Sequence, residues 1–284
     1  MAVALIITKD MAPPSDTQNS VSVPKPTLVL VVGPFDPSGA GNLPADAVTC
    51  AAMGGHALST LTAVHVQDTV SIENTLLMAP DLIDDQARCL LEDMTVQAIK
   101  VGPLYSVEAV RVMAQIAADY SDVPLVLQPD TPPEGLIDDD PEDILAALFE
   151  LLLPQTDAVI VEHNLLTHWI TDGLFPIEHS GAPGTILLEC GAKWALITGA
   201  PLRQGHTACL LHGPEHATFN WPLPLPSPRP SNASGPLGCA LAVELGRGKT
   251  MPAAAESALG LAQPLINSTF QPGMGNRLIN RSLS

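Results

Sequence analysis

Residues 27–55 read TLVLVVGPFDPSGAGNLPADAVTCAAMGG and contain a strand, a glycine-rich loop and a helix in succession. The opening TLVLVV is a run of β-branched residues and Leu, which is typical of a β-strand buried on both faces. Gly33 and Pro34 end this run. The Ala-rich part stops at Gly54 and Gly55, where glycine is expected just after a helix. The loop between them places backbone N–H groups at the carboxyl edge of a sheet, where ligands of α/β folds bind.

The alternation of strands and helices continues downstream. We predict strands at HALSTLTAVHVQD, AIKVG, PLVLQ and AVIV, and helices at DLIDDQARCLLEDM, VEAVRVMAQIAADY and PEDILAALFELLL. Strands separated by helices predict an α/β fold with a mainly parallel central sheet and helices on both faces. The stretches DTPPEGLIDDDPED and WPLPLPSPRPSNASGP are predicted loops because proline disfavours helices and most ladder pairing. The second is either a flap over a site or a stiff connector.

Chain length and composition indicate one globular domain. With 284 residues, 46% hydrophobic and 15% charged, the chain can bury a large core. Neither predicted loop separates halves that would each make a complete sheet. We therefore expect a single domain over residues 27–284, preceded by a flexible N-terminal extension over residues 1–26.

The charge and cysteine content restrict partners and location. The formal net charge is −18, from 12 Lys and Arg against 30 Asp and Glu, so we expect neither nucleic acid nor a membrane surface as partner. No apolar run approaches the roughly 18 residues of a membrane span. The five cysteines form no CxxC pair, the histidine spacing fits no usual metal motif, and the N-terminus lacks a signal peptide. We expect a cytoplasmic protein and assign no metal ligand firmly.

The string FDPSGAGNLPADAVTCAAMGGHALSTLTAVHVQDT resembles the opening of the hydroxymethylpyrimidine and phosphomethylpyrimidine kinases of thiamin biosynthesis. Their pattern is approximately DPSGGAGIQADLKTF followed by ITALxAQNT, and IKVGPLYS resembles their KIGML segment. The matching residues are Asp36, Pro37, Ser38, Gly39, Ala45, Asp46, Thr62, Ala63, Gln67 and Thr69. The resemblance implies the three-layer sandwich of the ribokinase-like superfamily, and also a homodimer.

The resemblance further implies an aminopyrimidine pocket at the top of the sheet. Asp46 and Gln67 would hydrogen-bond the ring, since a carboxylate and a carboxamide can read its adjacent donors and acceptors. Gly33 would line the pocket, with Pro103 where the family usually has Met. We expect Asp46 on the first helical turn, pointing back toward the loop. Alternatively, Asp46 only complements the helix dipole and Gln67 is a polar strand end.

Mg²⁺ and ATP are implied as cofactors of an active kinase, but the residues that would handle them depart from the family. Gln128 stands in place of an Asp, and Asp130 faces the same way two residues later. Asn164 is kept from the TPNxxE element, whereas Thr167 replaces its Glu. Glu162 is nearby in sequence, and we expect it to project elsewhere.

The family's GTGC turn, which opens a long C-terminal helix, corresponds to SGPLGC here. Cys239 takes the position of the catalytic base, although a small buried packing residue is an equal alternative. Pro236 lacks an N–H and would remove one donor. The implied anion hole comprises Gly235, Leu237 and Gly238. The implied adenine side of the nucleotide site comprises Thr198 and Gly199.

Two functions remain open at this point. The first is ATP-dependent phosphorylation of 4-amino-5-hydroxymethyl-2-methylpyrimidine or its phosphate, with weakened catalysis. The second is a catalytically degenerate paralogue that binds an aminopyrimidine as a sensor, carrier or partner subunit. Pyridoxal phosphorylation is a weaker third reading within the same superfamily.

Overall fold

The computed structural model describes residues 25–133, 135, 137–177, 181–204, 206–224 and 235–282. Residues 1–24 of the expected N-terminal extension and residues 225–234 of the second predicted loop lie outside these ranges. Among the described residues, no helix combines the length and the apolar character that a membrane span requires.

Most of the strands and helices alternate along the chain. The strands are β1 (Thr27–Phe35), β2 (Gly55–Gln67), β3 (Ile72–Leu77), β4 (Ala98–Val101), β5 (Leu125–Leu127), β6 (Ala158–Glu162), β7 (Trp194–Arg203), β8 (His206–His212), β9 (Thr218–Pro224), β10 (Thr269–Phe270) and β11 (Leu278–Ile279). The helices are α1 (Asn42–Ala52), α2 (Pro80–Asp93), α3 (Val107–Asp119), α4 (Pro141–Ala147), α5 (His163–Thr171), α6 (Thr185–Glu189), α7 (Gly235–Gly246) and α8 (Met251–Asn267). A π-helical turn (Leu148–Leu152) and a 3₁₀ turn (Leu153–Gln155) extend α4.

Within the described chain, nine strands form one sheet in the order β3-β2-β1-β4-β5-β6-β7-β8-β9. The pairs from β2 through β7 are parallel, whereas β3 at one edge and β8 and β9 at the other pair antiparallel. The carboxyl ends of six strands therefore meet at one side of the molecule. This confirms the predicted mainly parallel sheet.

Helices cover both faces of the sheet, which makes the three predicted layers. Leu30 and Val32 of β1 pack in an apolar cluster with α2 to α6, while Val29 and Val31 pack in a second cluster with α1, α7 and α8. Both clusters are buried. A strand that contributes alternate residues to two buried layers must be apolar throughout, which explains the continuous run in TLVLVV.

The prediction that WPLPLPSPRPSNASGP is loop throughout is wrong at both ends of the stretch, since Gly235 and Pro236 already belong to α7. Trp221 to Pro224 belong to β9, where Pro222 pairs with Ala208 and Pro224 with His206. The strand is the last in the sheet. Proline is tolerated there because an edge strand needs ladder hydrogen bonds on one side only.

Leu30 tests the double-sided burial of β1. Leu30→Ala should lower the free energy of unfolding by about 2–5 kcal/mol, because the removed atoms leave a cavity in a fully buried site. Leu76→Ala on edge strand β3, where the side chain is 65% exposed, is the matched control and should cost less than about 0.5 kcal/mol. Urea unfolding measures both, and equal losses would contradict the assignment of β1 to the core.

Candidate active site

The loop between β1 and α1 is held together by its own hydrogen bonds. Asp36 accepts from the N–H and hydroxyl of Ser38 at 2.8 and 2.7 Å and from the N–H of Gly41 at 3.0 Å. The N–H of Gly39 bonds to the Asp36 carbonyl at 3.1 Å, and that of Ala40 bonds to the Ser38 hydroxyl at 3.2 Å. Gly39 has φ +70°, which favours glycine. The expectation that the loop offers these N–H groups to a ligand is therefore wrong.

Asp46 forms a buried ion pair with Lys100 of β4. The Lys100 Nζ donates to Asp46 Oδ2 at 2.6 Å, and the two side chains are only 4% and 7% exposed. Burial works against the charge of Lys100, but Asp46 and Cys239 outweigh it and raise its pKa. Asp46 lies in the second turn of α1, not in the first turn as expected. The carboxylate predicted to read the pyrimidine is thus engaged by the protein's own lysine.

Cys239 lies beside this pair in the first turns of α7 and is fully buried. Burial, above all, and then the negative charge of Asp46 raise the pKa of its thiol well above the ordinary value, although Lys100 opposes the shift. The resting sulfur is therefore a protonated thiol at neutral pH, and its predicted role as base requires that it first lose this proton.

The N-terminus of α7 packs over the carboxyl ends of β4 and β5. A Cβ on Gly238 would lie 3.1 Å from Lys100 Cε and would also collide with the Gln128 side chain, so only glycine fits there. Pro236 is the second residue of α7, where proline suits a helix but supplies no N–H. Leu237, the third residue of α7, carries one of the N–H groups that lack an intrahelical partner at such an end.

A cavity of about 210 Å³ lies beside the loop, at the end of β2. Its lining residues are Ala40, Gln67, Asp68, Thr69, Val70, Ser71, Ile72, Asn276 and Leu278. The Oε1 atom of Gln67 is buried and has no hydrogen-bond partner among the described residues. The cavity wall thus contains a polar side chain whose acceptor atom is unsatisfied.

The other three predicted pocket residues do not line this cavity. Asp46 belongs to the ion pair, and Gly33 is buried in β1 against the backbone of Gly102. Pro103 is half-buried in the loop after β4. The structure therefore brings Gln67 together with the loop, and Asp46 together with Lys100 and Cys239.

Asp130 lies three residues beyond the end of β5, and Glu162 is the last residue of the adjacent parallel strand β6. Burial raises the pKa of the Asp130 carboxyl, the N–H of Thr131 lowers it, and the Glu162 charge raises it, with a net upward shift. The two carboxylates are thus close enough for the charge of Glu162 to act on Asp130. That Glu162 projects elsewhere stays a prediction.

The remaining predicted nucleotide residues fall into two groups. Thr198 pairs with Glu162 across β6 and β7, and a Cβ on Gly199 would lie 3.7 Å from Glu162 Cγ. Gly199 has φ +71°, at an irregularity of β7. Asn164 and Thr167 are exposed on α5. The Thr167 hydroxyl donates to the carbonyl of His163 in the same helix at 2.8 Å.

Sequence reasoning missed Lys100 and Arg281. Lys100 stands inside AIKVG, and a lysine within a short apolar strand was the available signal. Arg281 carried no local signal, because it contacts the loop at Gly39 and Ala40 from the far end of the chain. Among the described residues, no group of three or more His, Cys, Asp or Glu could form a metal cage.

The model of the family described as Phosphomethylpyrimidine kinase matches residues 36–280. The chain belongs to the phosphomethylpyrimidine kinase family. The kinase is 30% identical over 263 residues to a hydroxymethylpyrimidine/phosphomethylpyrimidine kinase of Streptomyces coelicolor, with 88% of this chain and 92% of the relative covered. A Mycobacterium tuberculosis protein of the same name is 28% identical over 281 residues, with 94% of both chains covered. The predicted family is confirmed, and the protein is a phosphotransferase.

Solved structures confirm the ribokinase-like fold of the kinase. Bacillus subtilis pyridoxal kinase in complex with ADP superimposes with a TM-score of 0.78 at 18% identity, covering 90% of this chain and 97% of the other. Phosphomethylpyrimidine kinase of Clostridium difficile gives a TM-score of 0.64 at 19% identity, covering 81% and 96%. At these identities the likeness concerns the fold.

The contribution of the Asp46–Lys100 ion pair to the free energy of unfolding can be tested by mutation. Lys100→Met should lower the free energy of unfolding by about 3–5 kcal/mol, because it leaves Asp46 buried without its cation. Asp46→Leu combined with Lys100→Met should cost much less than the two single changes together, since no unpaired charge remains. Urea unfolding of all three variants measures this coupling.

An exposed pair provides the control. Lys193 binds Asp157 at 2.7 Å, but the lysine side chain is 59% exposed, so Lys193→Met should cost at most about 1 kcal/mol. A Lys100→Met loss no larger than this would show that the buried pair has no structural role.

Proposed function

We propose that this kinase transfers a phosphoryl group from ATP to 4-amino-5-hydroxymethyl-2-methylpyrimidine or its monophosphate in thiamin biosynthesis, and that it does so slowly. The observation that carries the substrate class is the buried, unpartnered Oε1 of Gln67 in a small cavity. The names of the Streptomyces coelicolor and Mycobacterium tuberculosis relatives support the same substrates.

Ring recognition rests on Gln67. Its amide oxygen can accept a hydrogen bond from the exocyclic amino group of an aminopyrimidine, which satisfies an acceptor that is otherwise buried at a cost. Val70, Ile72 and Leu278 supply apolar contacts for the ring and its methyl group. A cavity of about 210 Å³ suits a single small ring.

The phosphoryl group would be received at the N-terminus of α7. The N–H group of Leu237, the helix dipole and the charge of Lys100 all favour an anion there. Cys239 would accept the proton of the attacking hydroxyl as a thiolate, a form that the charge of Lys100 favours, once its own thiol proton has passed to water. Asp46 serves the reaction as the partner of Lys100.

Asp130 and Glu162 suit the magnesium ion that accompanies ATP. Mg²⁺ in such sites uses one or two carboxylates together with phosphate oxygens and water, so a three-residue cage is unnecessary. Asp130 lies just beyond β5 and Glu162 ends the adjacent strand β6, and the raised pKa of Asp130 reflects desolvation and the negative charge of Glu162. Bound there, Mg²⁺ would neutralise charge on the phosphates. Solved pyridoxal kinases with AMP-PCP support the use of ATP.

Slow transfer follows from three departures around the phosphate. Gln128 brings a neutral amide to the N-terminus of α7, beside Gly238. Thr167 bonds to its own helix instead of presenting a carboxylate, and Pro236 supplies no N–H. Each loss leaves less stabilisation for the developing charge. The same departures favour a second candidate, a degenerate paralogue that binds the aminopyrimidine without transferring phosphate.

Gln67→Ala should weaken binding of the aminopyrimidine by about tenfold to a hundredfold, because a hydrogen bond to a buried group is lost. Isothermal titration of the purified protein measures this affinity. Gln115→Ala, on the outer face of α3, is the control and should bind like the wild type. Equal affinity of the Gln67 variant and the wild type would remove Gln67 from the site.

Restoring the family carboxylates should accelerate transfer. Gln128→Asp combined with Thr167→Glu should raise pyrimidine-dependent ATP turnover by on the order of tenfold or more, measured as ADP release. Gln128→Asp with Thr171→Glu is the control, because Thr171 lies one turn further along α5 with the same hydroxyl-to-backbone bond. The proposal of slow catalysis fails if wild-type turnover reaches about 10 per second. The degenerate paralogue is favoured if the wild type binds the pyrimidine but shows no turnover.

A further inference from the structure

Arg281 joins the end of the chain to the loop that follows β1. Its Nη2 donates to the Ala40 carbonyl at 3.1 Å and its Nη1 to the Gly39 carbonyl at 3.3 Å. Its Nε donates to the Thr49 hydroxyl of α1 at 3.0 Å, and Nη1 also reaches the Ile279 carbonyl at 3.4 Å. One guanidinium therefore connects the loop, the first helix and the C-terminal strand.

This guanidinium is buried, and within the described chain all of these bonds go to neutral oxygens. Burial lowers the pKa of Arg281 from its ordinary value, against the opposing charges of Asp46, Cys239 and Asp36. A buried cation without a bonded carboxylate is costly. Burial of such a cation does not by itself stabilise the fold, which indicates that Arg281 serves to fix the positions of the groups it binds.

The segment that carries Arg281 also forms one wall of the cavity beside Gln67. Asn276 and Leu278 line the cavity. The segment is tied to the turn after β2, because the N–H of Asn276 bonds to the Thr69 carbonyl at 2.7 Å and that of Gly275 to the Thr69 hydroxyl at 3.1 Å. Ala40, whose carbonyl Arg281 holds, lines the same cavity from the opposite end of the chain.

We propose that Arg281 is a positioning residue, which fixes the backbone of Gly39 and Ala40 against the C-terminal wall so that the substrate cavity is already formed before the ligand binds. Arg281 lies one residue beyond the range that the family model matches. The identity of the ligand rests on the proposed function, whereas the positioning of the loop does not.

The planar fork of arginine explains why this residue type is used. It can donate to two successive carbonyls and a hydroxyl at once, whereas the single ammonium of lysine cannot span them. Gly39, at φ +70°, gives the loop a conformation that depends on its anchors. The four loop N–H groups are bonded within the loop, so the carbonyls are what an external anchor can hold.

The first test uses the protein without ligand. Arg281→Met should accelerate hydrogen exchange of the amides of residues 38–41 by about tenfold or more, measured by NMR or mass spectrometry. Arg277→Met is the matched control, since Arg277 lies in the same segment but bonds only to Thr269, and it should leave these amides unchanged. Unchanged exchange in the Arg281 variant would overturn the inference.

The second test measures binding by isothermal titration. Arg281→Met should weaken aminopyrimidine binding about tenfold, because part of the population no longer has the cavity formed, and should leave the affinity for Mg-ATP unchanged. Arg281→Lys should weaken it similarly, since charge alone does not restore the anchor. Equal loss of both affinities would indicate a general structural defect and would overturn the inference.

Two outcomes separate this inference from the proposed function. If the wild type binds no aminopyrimidine, the proposed substrate is wrong, while the exchange experiment still decides whether Arg281 holds the loop. If Arg281→Met does not fold, Thr49→Val removes one partner of the guanidinium and should increase exchange at residues 38–41 to a smaller extent. No increase in that variant would contradict the anchor.

Discussion

The buried ion pair between Asp46 and Lys100 is the interaction on which the packing of α1, β4 and α7 depends. It joins α1 to β4 in the middle of the sheet, and neither charge could remain buried alone without a penalty of several kcal/mol. The N-terminus of α7 then closes over the pair, because glycine at 238 allows the helix to approach Lys100. Cys239 is placed by the same contact, where the charges of Asp46 and Lys100 act on its thiol.

The parallel sheet places the polar side chains of the candidate site along one edge. Gln67 ends β2, Lys100 lies near the end of β4, Asp130 follows β5, and Glu162 ends β6. Because the carboxyl ends of parallel strands meet on one side, residues far apart in sequence form a row from the ring cavity to the carboxylates. The antiparallel edges add the cavity wall on one side and β8 and β9 on the other.

Elements whose environment is uniform could be predicted from the sequence. The run TLVLVV is apolar because β1 is covered on both faces, and the helix periods of α2 and α3 appear within two residues of their observed bounds. The sequence pattern did not reveal edge strand β3. It also missed β9, because proline is excluded from central strands but is tolerated in an edge strand. Whether a strand lies at an edge depends on the order of the whole sheet, which local patterns do not contain.

By itself the sequence determined the family, the alternation of strands and helices, and the residue types available for chemistry, because local periodicity and motif spacing record which faces are buried. Only the tertiary structure decided which side chains contact each other. Lys100 meets Asp46 across 54 positions and Arg281 meets Thr49 across 232. It likewise brought the charge of Glu162 close enough to Asp130 to raise the pKa of that carboxyl. Such contacts depend on the order of the strands in the sheet and on how the helices cross it. Neither can be derived from residues that are adjacent in the sequence.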